Sequence, residues 1–448
     1  MPSPGPRRLR RWGIAVAVLA LIAGGAAAFV LLHAPGNVSH PSLSFTAPRT
    51  ATAPAQKPAP VAPPFEWPRY GFDAGRTRFF PAPSTLAPPL RIGWRYNEGA
   101  LLEFPPVIYG NALFLLDDNG WAKAIDKRTG HTLWQHQVGT LAAASPAVGA
   151  RQRLIFMPLL STNPNAGQNP GNGRFVALSM QDGHVVWSRP VPQGSESSPM
   201  AFGDTVYYGD QSGAVRALRA RDGHQLWSYQ ASGAVKGGPA LANGILYFGD
   251  YAGRAYAVNA ATGHQVWAVT TSGARLGFGS GQFYATPAVA FGRVYLGNTD
   301  GRVYSFAART GQLAWATGTG AYVYSSAAVA DPSGLGPTVY VGSYDGTMYA
   351  FDARSGAVRW THSAGGKISG AGTVIGNVLY FSDLGDKNTQ GLDVRSGRNV
   401  FNFPDGAFNP AIADPTAIYL DGYGELYQML PAGHAGARRP PASRPHRK

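Results

Sequence analysis

Four histidines recur at one position of a repeated pattern, and imidazole is the commonest metal-binding side chain in proteins. They are His131, His184, His224 and His264, and each follows a turn glycine. A shared zinc ion would need imidazole nitrogens about 2 Å away, whereas neighbouring sheets pack about 10 Å apart. The spacing therefore predicts exposed turn residues rather than a metal site.

Other side chains that perform chemistry are scarce. The chain has 5 Glu, 19 Asp and no Cys, which excludes a disulfide, a thiolate metal site, a Cys nucleophile and a lipid-modified Cys. Most Asp residues stand in turns such as YGDQSG and NTDG, where their side chains bond to nearby backbone amides. None of these turns has EF-hand spacing. No nucleophile elbow or phosphate loop is found, so no catalytic residue is predicted.

The histidines lie in an 11-residue pattern that occurs seven times, for example AVNAATGHQVW at residues 257–267. Each copy ends in an aromatic residue, and successive ends lie 40 to 53 residues apart. A period of that length with strand-forming residues is typical of β-propeller blades. The seven aromatic ends are Trp134, Trp187, Trp227, Trp267, Trp315, Trp360 and Phe401.

Each repeat contains four short strands joined by tight turns. In residues 238–267 the turns stand at Asn243-Gly244, Ala252-Gly253 and Thr262-Gly263, and Asn-Gly is the strongest short hairpin signal. Three turns and four strands predict one antiparallel sheet for each repeat.

The two ends of the repeat region supply an eighth blade. Residues 408–430 contain three strands and no fourth, while LRIGWRY at residues 90–96 is an isolated strand with Trp94 at the outer-strand position. Pairing them closes the ring and removes both exposed edges. We therefore predict an all-β, eight-bladed β-propeller over residues 65–430, with seven complete blades and one split closing blade. Trp94 and the seven aromatic ends should pack between neighbouring blades.

The Ala-x-Asp-x-x-Thr-Gly-x-x-x-Trp pattern resembles the tryptophan-docking motif of pyrroloquinoline quinone (PQQ)-like repeat propellers, in the quinoprotein alcohol dehydrogenase-like superfamily. EWPRYGFDAGRTRFF, at residues 66–80, is similar to the segment before the first blade in that family. The resemblance implies either a dehydrogenase that holds PQQ and calcium on the propeller axis or a non-catalytic, BamB-like binding propeller. The chain has no Cys to cover a quinone, and no calcium ligand or catalytic base can be assigned. These departures favour the non-catalytic branch, without a cofactor.

The first 64 residues predict a membrane anchor and a spacer. RRLRR precedes an uncharged apolar run at residues 12–33, which is long enough to cross a bilayer. The cations place residues 1–11 in the cytoplasm and the propeller outside it. The alternative is a cleaved signal peptide, with GGAAAF at residues 24–29 as the cleavage region. Residues 34–64, rich in Pro and Ala, predict an extended linker, and residues 431–448 a disordered basic tail.

The net charge of +14 does not indicate a nucleic-acid-binding protein. Residues 1–64 carry six cations and residues 431–448 carry five, with no acid in either segment, which leaves +3 for residues 65–430. A near-neutral body offers no basic stripe to a phosphate backbone. We expect a monomeric ring that has no nucleic-acid partner.

One face of the predicted ring carries most departures from the repeat. The links between blades share this face with the turns between second and third strands, and we call it the link face. The opposite turn face carries uniform Asn-Gly and Thr-Gly turns and the four histidines. Loops on rigid scaffolds commonly carry function, and interface hot spots favour Tyr and Arg. The candidate binding residues are Glu196, Lys236, Tyr251, Arg275, Phe283, Tyr284, Tyr322, Tyr324, Tyr344, Lys367 and Tyr423, with the insertion at residues 158–173.

These observations predict a membrane-anchored, extracytoplasmic scaffold that binds a protein or a cell-envelope polymer through the link face. Two alternatives stay open. One is a PQQ- and calcium-dependent dehydrogenase, and the other is a sensor that binds carbohydrate or cell wall. The basic tail, which could meet an anionic polymer, supports the sensor.

Overall fold

The computed structural model describes residues 36–47, 64–165, 167, 169–271 and 281–433. These residues form 35 strands in eight sheets, which are the blades of one propeller. The prediction of an all-β, eight-bladed ring is confirmed. Within those ranges no helix is both long and apolar enough to cross a bilayer. The predicted anchor at residues 12–33 lies outside them.

The strands follow the chain from the propeller axis outward in each complete blade. Four strands precede the first complete blade: β1 (Val38–Ser39), β2 (Glu66–Trp67), β3 (Phe79–Phe80) and β4 (Leu90–Asn97). Blade 1 consists of β5 (Val107–Tyr109), β6 (Ala112–Leu116), β7 (Trp121–Asp126) and β8 (Thr132–Gln137), and blade 2 of β9 (Ala147–Gly149), β10 (Leu154–Leu159), β11 (Gly173–Ser179) and β12 (Val185–Val191). Blade 3 consists of β13 (Met200–Phe202), β14 (Thr205–Gly209), β15 (Ala214–Arg219) and β16 (Gln225–Gln230), and blade 4 of β17 (Ala240–Ala242), β18 (Ile245–Gly249), β19 (Arg254–Asn259) and β20 (Gln265–Thr270).

Blades 5 to 7 repeat this order, and blade 8 closes the ring. Blade 5 consists of β21 (Ala288–Ala290), β22 (Arg293–Asn298), β23 (Arg302–Ala307) and β24 (Leu313–Gly318), and blade 6 of β25 (Ala328–Ala330), β26 (Thr338–Gly342), β27 (Thr347–Asp352) and β28 (Val358–Ser363). Blade 7 consists of β29 (Thr373–Ile375), β30 (Val378–Ser382), β31 (Thr389–Asp393) and β32 (Asn399–Phe403). Blade 8 contains β33 (Ala411–Ala413), β34 (Ile418–Asp421) and β35 (Glu425–Pro431). β35 pairs antiparallel with β4, with Gln428 opposite Trp94, so the two ends of the ring are held in one sheet.

The burial of each strand follows from its distance to the axis. The second strand of blade 6, TVYVG in β26, is buried at every residue, whereas the outer strand VRWTHS in β28 is partly or fully exposed throughout. A strand covered on both faces can be continuously apolar. The turns agree with the sequence, since Asn243 and Gly244 have φ of 50° and 76°, as a type I′ hairpin requires.

The repeated tryptophans connect each blade to the next. The indole of Trp187, for example, lies so close to the turn glycine Gly223 that an added Cβ would stand 2.6 Å from the ring. Its Nε1 also donates a hydrogen bond to the carbonyl of Ala220, at 2.9 Å. The same donation to a carbonyl of the following blade is made by Trp94, Trp134, Trp227, Trp267, Trp315 and Trp360. Phe401 stands at the equivalent place in blade 7, opposite Gly391.

Part of the predicted linker lies against the propeller. In β1, Val38 and Ser39 pair with Ala316 and Trp315 of β24, so blade 5 has five strands. Phe45 contacts Phe291 with ring centroids 5.8 Å apart. Residues 38–47 therefore depart from an extended spacer because their apolar side chains Val38, Leu43 and Phe45 are half-buried against the propeller.

Candidate functional site

Residues 64–80, here called the axial plug, close the turn-face end of the propeller axis. The plug starts as β2 on the inner edge of blade 1 and ends as β3 on the inner edge of blade 7. Its end carbonyls, at Phe65 and Phe80, accept the N–H groups of Gly110 and Gly376 in first-to-second turns. Other plug carbonyls accept N–H groups at 2.7 to 2.8 Å from the middle residues of five inner strands: Val148, Leu241, Val289, Val329 and Val374.

Two arginines of the plug are buried on the axis. Arg76 donates to the carbonyls of Pro239 and Ser198, both at 2.7 Å, and Arg78 donates to the carbonyl of Ala327 at 3.0 Å. Burial lowers the pKa of both guanidinium groups, and that of Arg76 is lowered further by Arg78. These bonds tie the plug to the links that lead into three different blades.

The link-face end of the axis is open, and we call it the axial mouth. Seven of the eight links line a cavity of about 30 Å³, which has room for one or two water molecules, and in each the first lining residue carries a side chain. These residues are Glu103, Glu196, Lys236, Tyr284, Tyr324, Ser369 and Phe408.

Hydrogen bonds between links hold the axial mouth rigid. Tyr70 of the plug donates to Asn409 Oδ1 at 2.7 Å, and Asn409 Nδ2 donates to the Glu103 carbonyl at 2.8 Å. Two further bonds connect other links: the Gly238 N–H donates to Thr286 Oγ1, and the Thr286 N–H donates to Ser326 Oγ, both at 2.9 Å. The first bond joins the plug to a link, and the other three each join the links of two different blades, so the mouth is fixed by the plug and the ring.

One half of the axial mouth is charged. Lys236 Nζ lies 2.8 Å from Glu196 Oε1, and Gln211 Nε2 donates to the same oxygen at 2.6 Å. Glu103 lines the same cavity. Burial raises its pKa to about 7, and Glu196 raises it further while Lys236 opposes the shift. The half therefore combines one paired carboxylate with one that is costly to ionise.

The other half is aromatic and continues outward over the link face. The ring of Tyr284 lies 6.2 Å from that of Tyr251 and 5.5 Å from that of Tyr324. Tyr324 in turn contacts Tyr344 and Tyr322, with centroids at 4.8 and 6.2 Å. Aromatic pairs at these distances are attractive. The five tyrosines therefore form one cluster beside the mouth.

Lysines cover two of these rings. Lys236 Nζ stands 4.7 Å from the ring centroid of Tyr251, and Lys367 Nζ stands 5.6 Å from that of Tyr344. Both distances are within cation–π range. Tyr423 lies farther along the link face, where it is 47% exposed and contacts Lys387.

Two of the predicted binding residues do not join this surface. Phe283 is completely buried, because it packs over Gly249 in the core between blades 4 and 5; its prediction as a surface residue was wrong. Arg275 belongs to residues 272–280, which lie outside the described ranges. The other nine predicted residues lie on the link face, eight of them in the mouth or the tyrosine cluster and its lysines.

The sequence interpretation missed several residues of the axial mouth. Glu103 and Phe408 each follow an apolar link residue, as Lys236 follows Val235, so an alignment of the links alone would have found them. Tyr70 gives no such signal, because it reaches the mouth from the plug. The described residues of the insertion at residues 158–173 form the end of β10, the start of β11 and the link-face segment between them, where Thr162 Oγ1 donates to the Asn172 carbonyl at 2.7 Å.

The residues present were tested against the two groups that the PQQ-like resemblance implies. A fused-ring quinone is far larger than the cavity of about 30 Å³. Calcium takes six to eight oxygen ligands, but the mouth offers the carboxylates of Glu103 and Glu196, and Glu196 is already paired with Lys236. In the described part of the chain, no three His, Cys, Asp or Glu side chains are grouped to hold a metal. The axial mouth fits neither group.

Comparisons with known proteins agree on the fold. A family profile described as outer membrane protein assembly factor BamB matches residues 91–207, 211–331 and 299–440. The structure is similar to that of BamB from Moraxella catarrhalis, with 18% identity, TM-score 0.62, and coverage of 76% of this chain and 99% of that one. A search of curated proteins found no match.

Two quinohemoprotein alcohol dehydrogenases are also similar in structure. The enzyme from Comamonas testosteroni has 13% identity, TM-score 0.67, and coverage of 84% of this chain and 82% of that one. ADHIIG from Pseudomonas putida HK5 has 14% identity, TM-score 0.68, and coverage of 86% and 82%. At such identities the similarity concerns the fold alone.

Proposed function

The chain belongs to the outer membrane protein assembly factor BamB family of PQQ-like repeat propellers, and on that premise we propose that it is a non-catalytic scaffold that binds a partner protein of the cell envelope through its link face. The observation that carries the proposal is the axial mouth with its tyrosine cluster. The mouth is held rigid by bonds between links, and its enclosed cavity measures only about 30 Å³. A pre-organised surface binds without a large ordering cost.

The exposed side chains suit protein recognition. Tyr322 is 55% exposed at the edge of the tyrosine cluster, and Lys367 is exposed beside Tyr344. Tyr supplies a large contact area with few rotatable bonds, and it is frequent in interface hot spots. We therefore place the centre of the interface at Tyr322, Tyr324, Tyr344 and Lys367.

The protein is also proposed to be anchored in the membrane with its propeller outside the cytoplasm. This rests on the apolar run at residues 12–33 and the cations before it. A cysteine introduced by Ala55→Cys should be labelled by an impermeant maleimide in intact cells. Labelling only after lysis would contradict the topology.

The binding proposal is tested by affinity capture of the intact tagged protein from solubilised envelopes. Tyr324→Ala and Lys367→Ala should each reduce the yield of captured partner at least about tenfold, as for hot-spot residues. His224→Ala and His264→Ala are matched controls, since both histidines are exposed on the turn face. Equal losses from both faces, or losses from the histidine variants alone, would contradict the link face as the interface.

A further inference from the structure

The two faces of the propeller differ in the sign of their charge. In the described residues, the links and second-to-third turns of the link face contain twelve Asp or Glu and three Lys. The first-to-second and third-to-fourth turns of the turn face contain nine Lys or Arg and five Asp. The near-neutral total therefore hides a separation of charge along the axis. Strand residues reduce it, since Lys123 pairs with Glu98 and Asp117, and Arg216 pairs with Asp210. An acidic face attracts a basic partner and repels an acidic one.

One acid of the link face lies in the axial mouth without a cation. The hydrogen bonds of Glu103 involve its backbone, and no donor of the described residues reaches its carboxylate. The charged groups that face it are Glu196, Lys236 and Asp118. Lys236 is engaged by Glu196 at 2.8 Å. Glu103 is half-buried. A half-buried carboxylate that interacts with two other acids, and whose neighbouring ammonium is engaged elsewhere, is stabilised by an added cation.

Lys236 shows how this part of the molecule holds an ammonium group. Its Nζ is paired with one carboxylate and lies 4.7 and 6.0 Å from the ring centroids of Tyr251 and Tyr284. Ammonium over tyrosine faces is a favourable arrangement when water is partly excluded. Glu103 lines the same cavity as Tyr284 and Tyr324, so a carboxylate and tyrosine rings are again combined there. The cavity of about 30 Å³ matches an ammonium head and little more.

We propose that the link face binds a basic segment of its partner, and that the axial mouth receives one primary ammonium group of that segment, a lysine side chain, between Glu103 and the rings of Tyr284 and Tyr324. This inference rests on the proposed binding function and names the chemistry of the partner. Lys236 is the internal competitor, because it neutralises Glu196, the second carboxylate of the mouth.

The test measures the affinity of the full-length protein in detergent for a fluorescent penta-lysine peptide. We expect binding that weakens with salt and no binding of penta-glutamate or of penta-acetyl-lysine. Glu103→Gln should weaken binding about tenfold or more, because the ammonium loses its buried partner. Lys236→Met should strengthen binding several-fold, because it leaves Glu196 free. Ethylammonium at millimolar concentration should compete for the mouth if the ammonium head alone is recognised.

Matched variants separate the mouth from general surface charge. Asp386→Asn removes an exposed acid of the link face and should weaken penta-lysine binding less than about twofold. Asp182→Asn, on the turn face, should have no effect. Equal binding of penta-lysine and penta-glutamate, or unchanged affinity in both Glu103→Gln and Lys236→Met, would overturn the inference. If capture of a partner still depends on Tyr324 but penta-lysine does not bind, this inference is overturned and the proposed function stands.

Discussion

The two faces of the propeller contain carboxylates with opposite pKa shifts. On the turn face, the hydrogen bonds from Arg219 and from the His224 amide hold the pKa of Asp222 at about 2. On the link face, burial raises the pKa of Asp118 to about 8, and nearby Glu103 raises it further. Asp222 is satisfied inside its own turn, as are many acids of both faces, for example Asp250 and Asp345 of the link face. Asp118 and Glu103 differ, because among the described residues no cation is paired with either carboxylate, so a cation brought by a partner would stabilise both.

The two ends of the propeller axis also differ in the groups that line them. The plug satisfies the inner strands at the turn-face end with backbone bonds, whereas side chains that differ from link to link surround the mouth. Backbone hydrogen bonds that hold the ring together are therefore concentrated at the turn-face end, and side chains that differ from blade to blade at the link-face end. The largest expected effects on stability lie at the closed end.

Deleting residues 65–80 should abolish folding. The deletion unpairs the inner strands and removes the buried Arg76 and Arg78, so the exposed edges should drive aggregation. Size-exclusion chromatography after expression would show no soluble monomer. Deleting residues 38–47 is the control and should leave a soluble ring. A soluble, cooperatively melting protein without the plug would contradict its role.

Loss of a docking tryptophan should be the next largest effect. Trp227→Ala and Trp267→Ala should each lower the free energy of unfolding by about 3–5 kcal/mol, because a large side chain leaves a cavity between two blades. Urea titration monitored by circular dichroism measures this. Leu226→Ala, at a side chain that is 49% exposed, should change it by about 0.5 kcal/mol or less. Wild-type stability in both tryptophan variants would refute the docking assignment.

The raised pKa values on the link face predict a pH dependence of stability. The pKa values of Glu103 and Asp118 are raised from about 4 when unfolded to about 7 and about 8 in the folded state. The folded state therefore binds more protons between these values, and the free energy of unfolding falls as pH rises from about 4 until the folded pKa values are passed. In Glu103→Gln, the decrease in the free energy of unfolding between pH 5 and pH 8 should be smaller by on the order of 2 kcal/mol.

Asp222→Asn is the turn-face counterpart in this experiment. The lowered pKa of Asp222 contributes stability above the unfolded value and loses it only as pH falls towards about 2. The slope between pH 5 and pH 8 should therefore be unchanged in this variant. If the free energy of unfolding has the same pH dependence in wild type and Glu103→Gln, the folded protein does not raise the pKa of Glu103.

The smallest expected effect concerns the segment at the rim of blade 5. Phe45→Ala removes the contact with Phe291 and should cost about 1 kcal/mol. Hydrogen exchange should increase in β24, which pairs with β1, and stay unchanged in β16 of blade 3. Unchanged exchange in both strands would mean that β1 is not held in solution.

The ring was predictable from the sequence because its signals are local and repeated. Turn glycines, alternating strands and the aromatic residue of each outer strand recur seven times, and the isolated strand around Trp94 indicated closure. The plug was not predicted, because its bonds join residues far apart in sequence, as when Ala74 accepts the N–H of Leu241. The burial of Phe283 depends on the neighbouring Gly249, which no feature of its own link reveals.

The candidate site was predicted in part for the same reason. Tyr284 and Tyr324 stand out as departures from a repeat, so the sequence identified them. Glu103 lies before the first complete repeat and was therefore not compared with the other links. The separation of charge between the faces was hidden by the total, since +3 over residues 65–430 reveals nothing about which turns carry the acids.

The central claim, that a partner binds the link face, is tested most directly by photo-crosslinking in intact cells. A benzoyl-phenylalanine that replaces Tyr322 should form a covalent adduct with a specific protein upon irradiation. The same residue in place of His224, which is also exposed to solvent but on the turn face, should form none. An adduct at position 224 and none at position 322 would contradict the account, as would adducts of equal yield at both positions.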